Sequence, residues 1–273
     1  DAACRQRRAA MQAFRLSPAA DKLHRFGQVV IKGERCIRAL ASSAISTVYL
    51  AESEHVGRLV CLKVLRQVPD VSDKAAPFDR FIQEYQIIAG IRHPNVVQIY
   101  DLGVADDHAY IAMEYFPAGD LRARIRRGIQ PREALGILRQ MAEALAAIHA
   151  VGVLHRDLKP GNVMLRPDGT IALIDFGLAK QLELEAEITA TGEIFGTPYY
   201  MSPEQGHGRE VDAASDLYSL GVIFWEMLTG TKPFLAPTPM AVIYKHSHAP
   251  VPELPAALAA WQPLLEKLLA KDP

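Results

Sequence analysis

Between positions 155 and 177 the chain reads His155-Arg156-Asp157-Leu158-Lys159-Pro160-Gly161-Asn162 and, after a short apolar stretch, Asp175-Phe176-Gly177. Asp157 and Asp175 are carboxylates, Asn162 carries an amide oxygen and Lys159 an ammonium. Phosphoryl transfer asks for that combination: an acidic group at the attacking hydroxyl, oxygen ligands for magnesium, and a cation beside the phosphates. Either tripeptide, His-Arg-Asp or Asp-Phe-Gly, would alone pass for an ordinary turn. The residues between them make the pairing informative. Val163-Met164-Leu165, a turn at Pro167-Asp168-Gly169 and Ile171-Ala172-Leu173-Ile174 form a short hairpin pattern that returns Asp175 towards Asn162.

The elements around this region change character along the chain. Residues 1 to 23 are rich in Ala and Arg with Met11, Phe14 and Leu16, an amphipathic or frayed helix ahead of the main fold. Candidate strands follow at Val29 to Leu40, Ser46 to Ala51, Leu59 to Leu65, Val96 to Leu102 and Ala109 to Met113, with one helix at about Pro77 to Ile91. After Pro117-Ala118-Gly119 the pattern turns helical. Ala134, Leu135, Leu138, Met141, Leu145 and Ile148 recur at helical spacing behind Pro131, and Gly152 is the stop signal. Asp212 to Thr229 is apolar nearly all round, which predicts a buried central helix closed by Gly230.

The 273 residues allow one or two lobes, and 49% hydrophobic residues supply a substantial core. A net charge of -1 gives no general attraction to nucleic acid or membrane. Cys4, Cys36 and Cys61 lie far apart without zinc-ligand spacing, the usage of a reduced compartment. No apolar run approaches the roughly 20 residues that span a bilayer. The expectation is a cytoplasmic segment, without membrane contact of its own, cut from a longer polypeptide that is open to other domains or an anchor.

The two motifs resemble the catalytic loop and metal-binding tripeptide of the protein kinase family, and Val60-Cys61-Leu62-Lys63 is similar to that family's Val-Ala-Ile-Lys strand. The resemblance covers about residues 30 to 273. It implies an α+β, bilobal fold: an N-terminal extension at 1–25, a small β-rich lobe with one helix at 26–116, and a larger, mainly helical lobe at 117–273 that stops before the family's final helix. The lobes join near Glu114 to Phe116. It implies ATP and Mg2+ as cosubstrate and metal, with Asp157 as base, Lys159 beside it, and Asn162 and Asp175 as metal ligands. Lys63 would reach the inner phosphates, oriented by Glu84. Adenine would lie between Val48 and Cys61 above and Met164 below, read by the backbone at Glu114 to Phe116 and backed by Met113. Ile88, Ile99, Phe176 and His155 would stack as an apolar column. Asp120 is open between a ribose ligand and an N-cap for the next helix.

Further along, Gly196-Thr197-Pro198-Tyr199-Tyr200-Met201-Ser202-Pro203-Glu204 resembles the end of a kinase activation segment. Thr197 would bond near Asp157, Glu204 would tie the segment down and Asp216 would hold the catalytic-loop backbone. Lys159 and Thr197 fit the serine/threonine-directed branch, and the wording from Tyr200 to Gln205 is most similar to bacterial eukaryotic-like kinases. Protein substrates bearing Ser or Thr follow from this, as does autophosphorylation at Thr189 and Thr191, with dimerisation open. One departure stands out. The phosphate loop, Leu40-Ala41-Ser42-Ser43-Ala44-Ile45-Ser46-Thr47-Val48, has no glycine where the family has three, at the places of Ala41, Ser43 and Ser46. Glycine admits positive φ, and a Cβ held in such a geometry costs roughly 1 to 2 kcal/mol. A pseudokinase-like nucleotide- or protein-binding module is therefore the alternative, and a small-molecule phosphotransferase a third reading that the long stretch from Asp175 to Glu204 disfavours. Arg122, Arg124, Arg126, Arg127 and Arg132 form a basic run that suits either an acidic or phosphorylated partner or a solvated helix face.

Overall fold

A computed structural model describes residues 30–31, 33–42, 46–65, 85–105, 108–176 and 198–272. The chain divides into two compact units, 1–70 with 100–115 and 71–99 with 116–273.

The smaller unit is built on a six-stranded sheet of order β1-β2-β3-β4-β6-β5, with β1 Val30–Ile31, β2 Glu34–Ser42, β3 Ser46–Ser53, β4 Arg58–Leu65, β5 Ile99–Ala105 and β6 His108–Glu114. The long first strand expected from sequence is broken, because Gly33 at φ 84 turns the chain and folds β1 back on β2. Alternation along β4 sorts its side chains. Val60, Leu62 and Val64 join Ala51, Tyr110 and Ala112 in the core of this unit, so Cys61 and Lys63 belong to the opposite face. Cross-strand register extends that second face: Val48 lies opposite Lys63, Leu50 opposite Cys61, Ile111 opposite Lys63 and Met113 opposite Cys61. On the core side the Tyr110 hydroxyl donates to Asp101 at 2.8 Å, and burial followed by that bond pushes its pKa up to about 12.

In the larger unit the central element is the helix Ala213–Thr229, α4 in chain order after α1 Leu121–Ile125, α2 Pro131–His149 and α3 Pro203–Gly206. Its ends are fixed locally. The Asp212 carboxylate accepts from the Ala214 N–H at 2.8 Å, and Gly230 closes the last turn at φ 72. Twelve of its residues are buried, as its all-round apolar sequence requires. α2 packs on it through a stripe from Ala134 to Ile148 and begins with Pro131, whose missing N–H costs nothing at that position. Helices α5 Pro239–His248 and α6 Gln262–Leu268 complete the unit. Gly221 on α4 lets α6 approach so closely that a Cβ there would stand 2.7 Å from Leu268 Cβ.

The predicted hairpin is present as β7 Val163–Leu165 and β8 Ile171–Leu173, antiparallel with Met164 opposite Ala172 and with Gly169 at φ 84 in its turn. The strand expected from Val96 begins instead at Ile99. Val97 N–H donates to Leu173 O at 3.0 Å, Leu173 N–H donates to Asn95 O at 2.9 Å, and the Asn95 amide reaches both Gln140 and Ile171. Residues 95–97 are thus hydrogen-bonded to β8 rather than continuing the strand that the sequence began at Val96.

Candidate active site

Asp216 on α4 organises the catalytic loop. One oxygen accepts from His155 N–H and the other from Arg156 N–H, each at 2.8 Å, and His149 Nε2 lies 2.7 Å from the first oxygen. Burial pushes this carboxyl upward, but the His149 hydrogen bond and the backbone donors outweigh it and hold it below the usual carboxylate range. His155 is wholly buried, and desolvation lowers its pKa despite Asp216, Asp157 and Asp175. It is therefore neutral at pH 7, and His149 with the two N–H groups carries the stabilisation of Asp216. Arg156 sits at φ 61, a left-handed conformation rare outside glycine. Gln205 Nε2 donates to its carbonyl at 2.8 Å, from a residue that also completes a reciprocal cap with Ser202.

Downstream, Asp157 is held from two sides. Lys159 Nζ lies 2.5 Å from its Oδ2, and Asn162 Nδ2 donates to its carbonyl at 2.8 Å and to Oδ2 at 3.2 Å. The Asn162 amide nitrogen is thus committed, which leaves the amide oxygen for a cation. Ile174 N–H donates to Asn162 O at 2.9 Å, so the hairpin brings Asp175 beside Asn162 as its sequence pattern predicts. Asp175 is at φ 52, the second left-handed non-glycine residue among those described. Phe176 is 1% exposed and its ring centroid lies 5.1 Å from that of His155. Ile88 and Ile99, the other members of the expected column, are buried too.

An amide oxygen and a carboxylate form a hard, oxygen-only donor set. Mg2+ suits it, because that ion keeps water and phosphate oxygens in most of its coordination sphere and needs only one or two protein ligands. Among the described residues no group of three or more His, Cys, Asp or Glu is placed to hold a metal ion.

Met164 bridges to Asp120, and Leu165 N–H donates to Gly119 O at 2.9 Å, which sets these two candidate nucleotide residues side by side. Asp120 is also the N-cap of α1. Its Oδ1 accepts from Ala123 N–H at 2.8 Å and its Oδ2 meets Arg122 at 3.0 Å. In the smaller unit, Val48, Cys61, Lys63 and Met113 share one face of the sheet, and Lys63 is buried there. Leu40, Ala41 and Ser42 end β2, Ser46 begins β3, and Ser42 Oγ lies 3.2 Å from Thr47 Oγ1 across the pair. Ala41 does not have positive φ, so the end of β2 needs no glycine there. Ser43, Ala44, Ile45, Glu84, Thr189, Thr191 and Thr197 lie outside the described residues. Burial, with Glu34 adding to it, pushes the Cys36 thiol up to about 11, the behaviour of an inert thiol.

Some participants escaped the sequence. His149 precedes its catalytic-loop neighbours by a helix end and a turn, and no local pattern ties it to Asp216. Gln205, three residues after Ser202 in a Ser-x-x-Gln cap, carries no local sign of its bond to Arg156. Glu204, expected to anchor the segment, bonds to Ser215 Oγ on α4.

An antiparallel sheet unit, a mainly helical unit and a loop of this construction are the parts of a protein kinase domain. The chain belongs to the protein kinase domain family, whose model matches residues 37–273. It is 40% identical over 250 residues to serine/threonine-protein kinase pkn2 of Myxococcus xanthus, covering 87% of this chain and 30% of that protein. Serine/threonine-protein kinase PrkC of Bacillus subtilis (strain 168) is 36% identical over 243 residues, 87% of this chain and 37% of PrkC. PknB of Mycolicibacterium smegmatis is 37% identical over 252 residues, 86% of this chain and 39% of PknB. The chain thus spans about a third of the length of these relatives. No helix among the described residues is long and apolar enough to cross a membrane.

Proposed function

We propose that this chain is the catalytic domain of a protein kinase that transfers the γ-phosphoryl group of ATP to serine and threonine hydroxyls. The observation that carries the reading is Asp157: a carboxylate clamped by Lys159 and Asn162, on a loop whose backbone is fixed by Asp216. Asp157 would accept the proton of the incoming hydroxyl, and Lys159 would steady both that carboxylate and the phosphoryl oxygens in passage. Asn162 and Asp175 would hold magnesium, which neutralises the phosphates when bound. Lys63, with Glu84, would orient the inner phosphates. The pseudokinase alternative finds no support, since the relatives above are named as kinases and the residues that carry the chemistry are present.

Activation follows from phosphorylation of Thr189 and Thr191, with Arg156 as the phosphate's partner in a segment otherwise crowded by Glu183, Glu185 and Glu187. Its substrates are proteins, itself included, and transfer between copies would bring two chains together. The kinase segment works in the cytoplasm, where ATP is available. Incubation with labelled ATP and magnesium, followed by mass-spectrometric mapping, tests the proposal. The expected result is label on Ser and Thr, at Thr189 and Thr191 first. A folded protein that transfers no label, or whose full activity coexists with unmodified Thr189 and Thr191, would refute transfer or activation respectively.

A further inference from the structure

The basic run after Gly119 has no part in the chemistry so far, yet α1 packs on the Pro160–Asn162 turn of the catalytic loop. Arg122 is the member that reaches this turn. A Cβ added at Gly161 would stand 4.0 Å from Arg122 Cζ, between Lys159 and Asn162 in sequence. Its charge also reaches the buried Tyr200 phenol, opposing the rise that burial and Glu226 impose there. The Arg122 side chain is nevertheless 65% exposed and meets Asp120 through a single nitrogen, so most of its five N–H donors are open to a ligand.

The carboxylates around it are already taken by this chain. Asp120 is held by Ala123 N–H and Arg122, and Asp157 by Lys159 and Asn162. Glu226 receives the Tyr200 hydroxyl at 2.6 Å and Lys232 Nζ at 3.1 Å, and that ammonium also lies 4.9 Å from the Tyr199 ring centroid. Arg124 is turned to Glu133 at 2.5 Å. Arg126, Arg127 and Arg132 are exposed, so the run from 120 to 133 sets five arginines against Asp120 and Glu133. A basic segment arriving at Asp157 meets no free carboxylate in this group, whereas an acidic one meets Arg122.

We propose that Arg122 is a specificity determinant for the protein acceptor: it binds an acidic side chain, carboxylate or phosphate, a few residues from the hydroxyl that is phosphorylated. This deepens the kinase reading and rests on it. The test is a set of isomeric Ser/Thr peptides in which one flanking position at a time carries Glu, phosphoserine, Gln or Arg. Turnover is measured on each, and affinity by fluorescence anisotropy on matched peptides with Ala in place of the target residue. A lone surface ion pair is worth up to about 1 kcal/mol, about fivefold. The wild-type chain should show a KM about fivefold lower for Glu or phosphoserine than for Arg at one position or more. Arg122→Ala should abolish that ratio, Arg122→Glu should invert it, and Arg139→Glu, the same charge change on the exposed side of α2, should leave it intact. Comparing peptides within one variant cancels any effect on ATP through Asp120. An acidic preference that survives in Arg122→Glu, or a wild-type preference for Arg, overturns the assignment while leaving the kinase reading untouched. Anisotropy that ranks the peptides as expected without turnover would support this surface and count against the kinase reading instead.

Discussion

Asp157 and Asp175 differ in the part each takes, and the difference predicts separable defects. Asp157 is bonded to Lys159 and Asn162 and serves the incoming hydroxyl, whereas Asp175 follows the β8 strand in a left-handed conformation that a non-glycine residue adopts at roughly 1 to 2 kcal/mol. Asp157→Asn and Asp175→Asn should each lower phosphoryl transfer by about a hundredfold or more, the ordinary worth of a positioned acid or base or of a metal ligand. Only Asp175→Asn should strongly weaken magnesium-dependent nucleotide binding, as read by calorimetry with a non-hydrolysable analogue. Near-normal turnover in either folded variant would sink the assignment. Ala41 poses the converse question. Its φ is not positive, so a glycine there relieves no strain and only adds freedom to the unbound loop, worth about 0.5 to 1 kcal/mol. Ala41→Gly should therefore leave ATP affinity unchanged or weaken it two- to fivefold. Tighter binding in the same titration would show that the bound loop requires left-handed angles.

Among the elements, α4 does the positioning, because the loop that carries Asp157 makes two backbone bonds to one carboxylate on that helix. Asp216→Asn would replace one acceptor with a donor facing an N–H. We expect a loss of about 1 to 3 kcal/mol of stability, with kcat reduced at least tenfold and KM for ATP little changed. Thermal melts and steady-state kinetics together check this, and an unaltered kcat would remove Asp216 from the positioning role. The same element shows what the sequence could express. Asp212, the apolar run and Gly230 set the limits of α4 by local rules, and the 163–173 hairpin was legible from two short apolar runs around Pro167-Asp168-Gly169. Long-range pairing was not legible in that way. Val96 and Val97 look like strand residues, and they do make strand-like bonds, but to β8 rather than to the sheet. His149 meets Asp216 only because α2 packs on α4, a relation between faces that no local motif contains.

At the scale of the whole molecule, buried histidines should set the acid limb of stability. His246 is 1% exposed. Its ring lies 4.9 Å from that of Phe234 and 5.7 Å from that of Tyr218, whose hydroxyl is 3.0 Å from Nδ1. Burial first, and then the Lys271 ammonium, lower its pKa to about 4, and burial lowers that of His155 as well. A histidine that is neutral when folded and titrates near 6.5 when unfolded favours the folded state fully above 6.5, and the benefit drains away as pH falls towards the folded value. For His246 the difference is on the order of 3 kcal/mol, lost between pH 6.5 and about 4. Asp216 works in a lower window, because a depressed carboxyl keeps its contribution until pH falls past the unfolded value near 3.9 and on through the folded one. Lys271, lowered by burial to about 8, is protonated in both states throughout the histidine window and leaves the slope there unchanged. Denaturant unfolding followed from pH 7 to pH 4 should therefore show a steady fall in stability. His246→Gln, which keeps a polar side chain of similar reach but cannot titrate, should flatten it even if the variant is less stable at pH 7. An acid limb of the same steepness in both proteins would mean that His246 takes up its proton without unfolding, and that the aromatic pocket around it admits the charged ring.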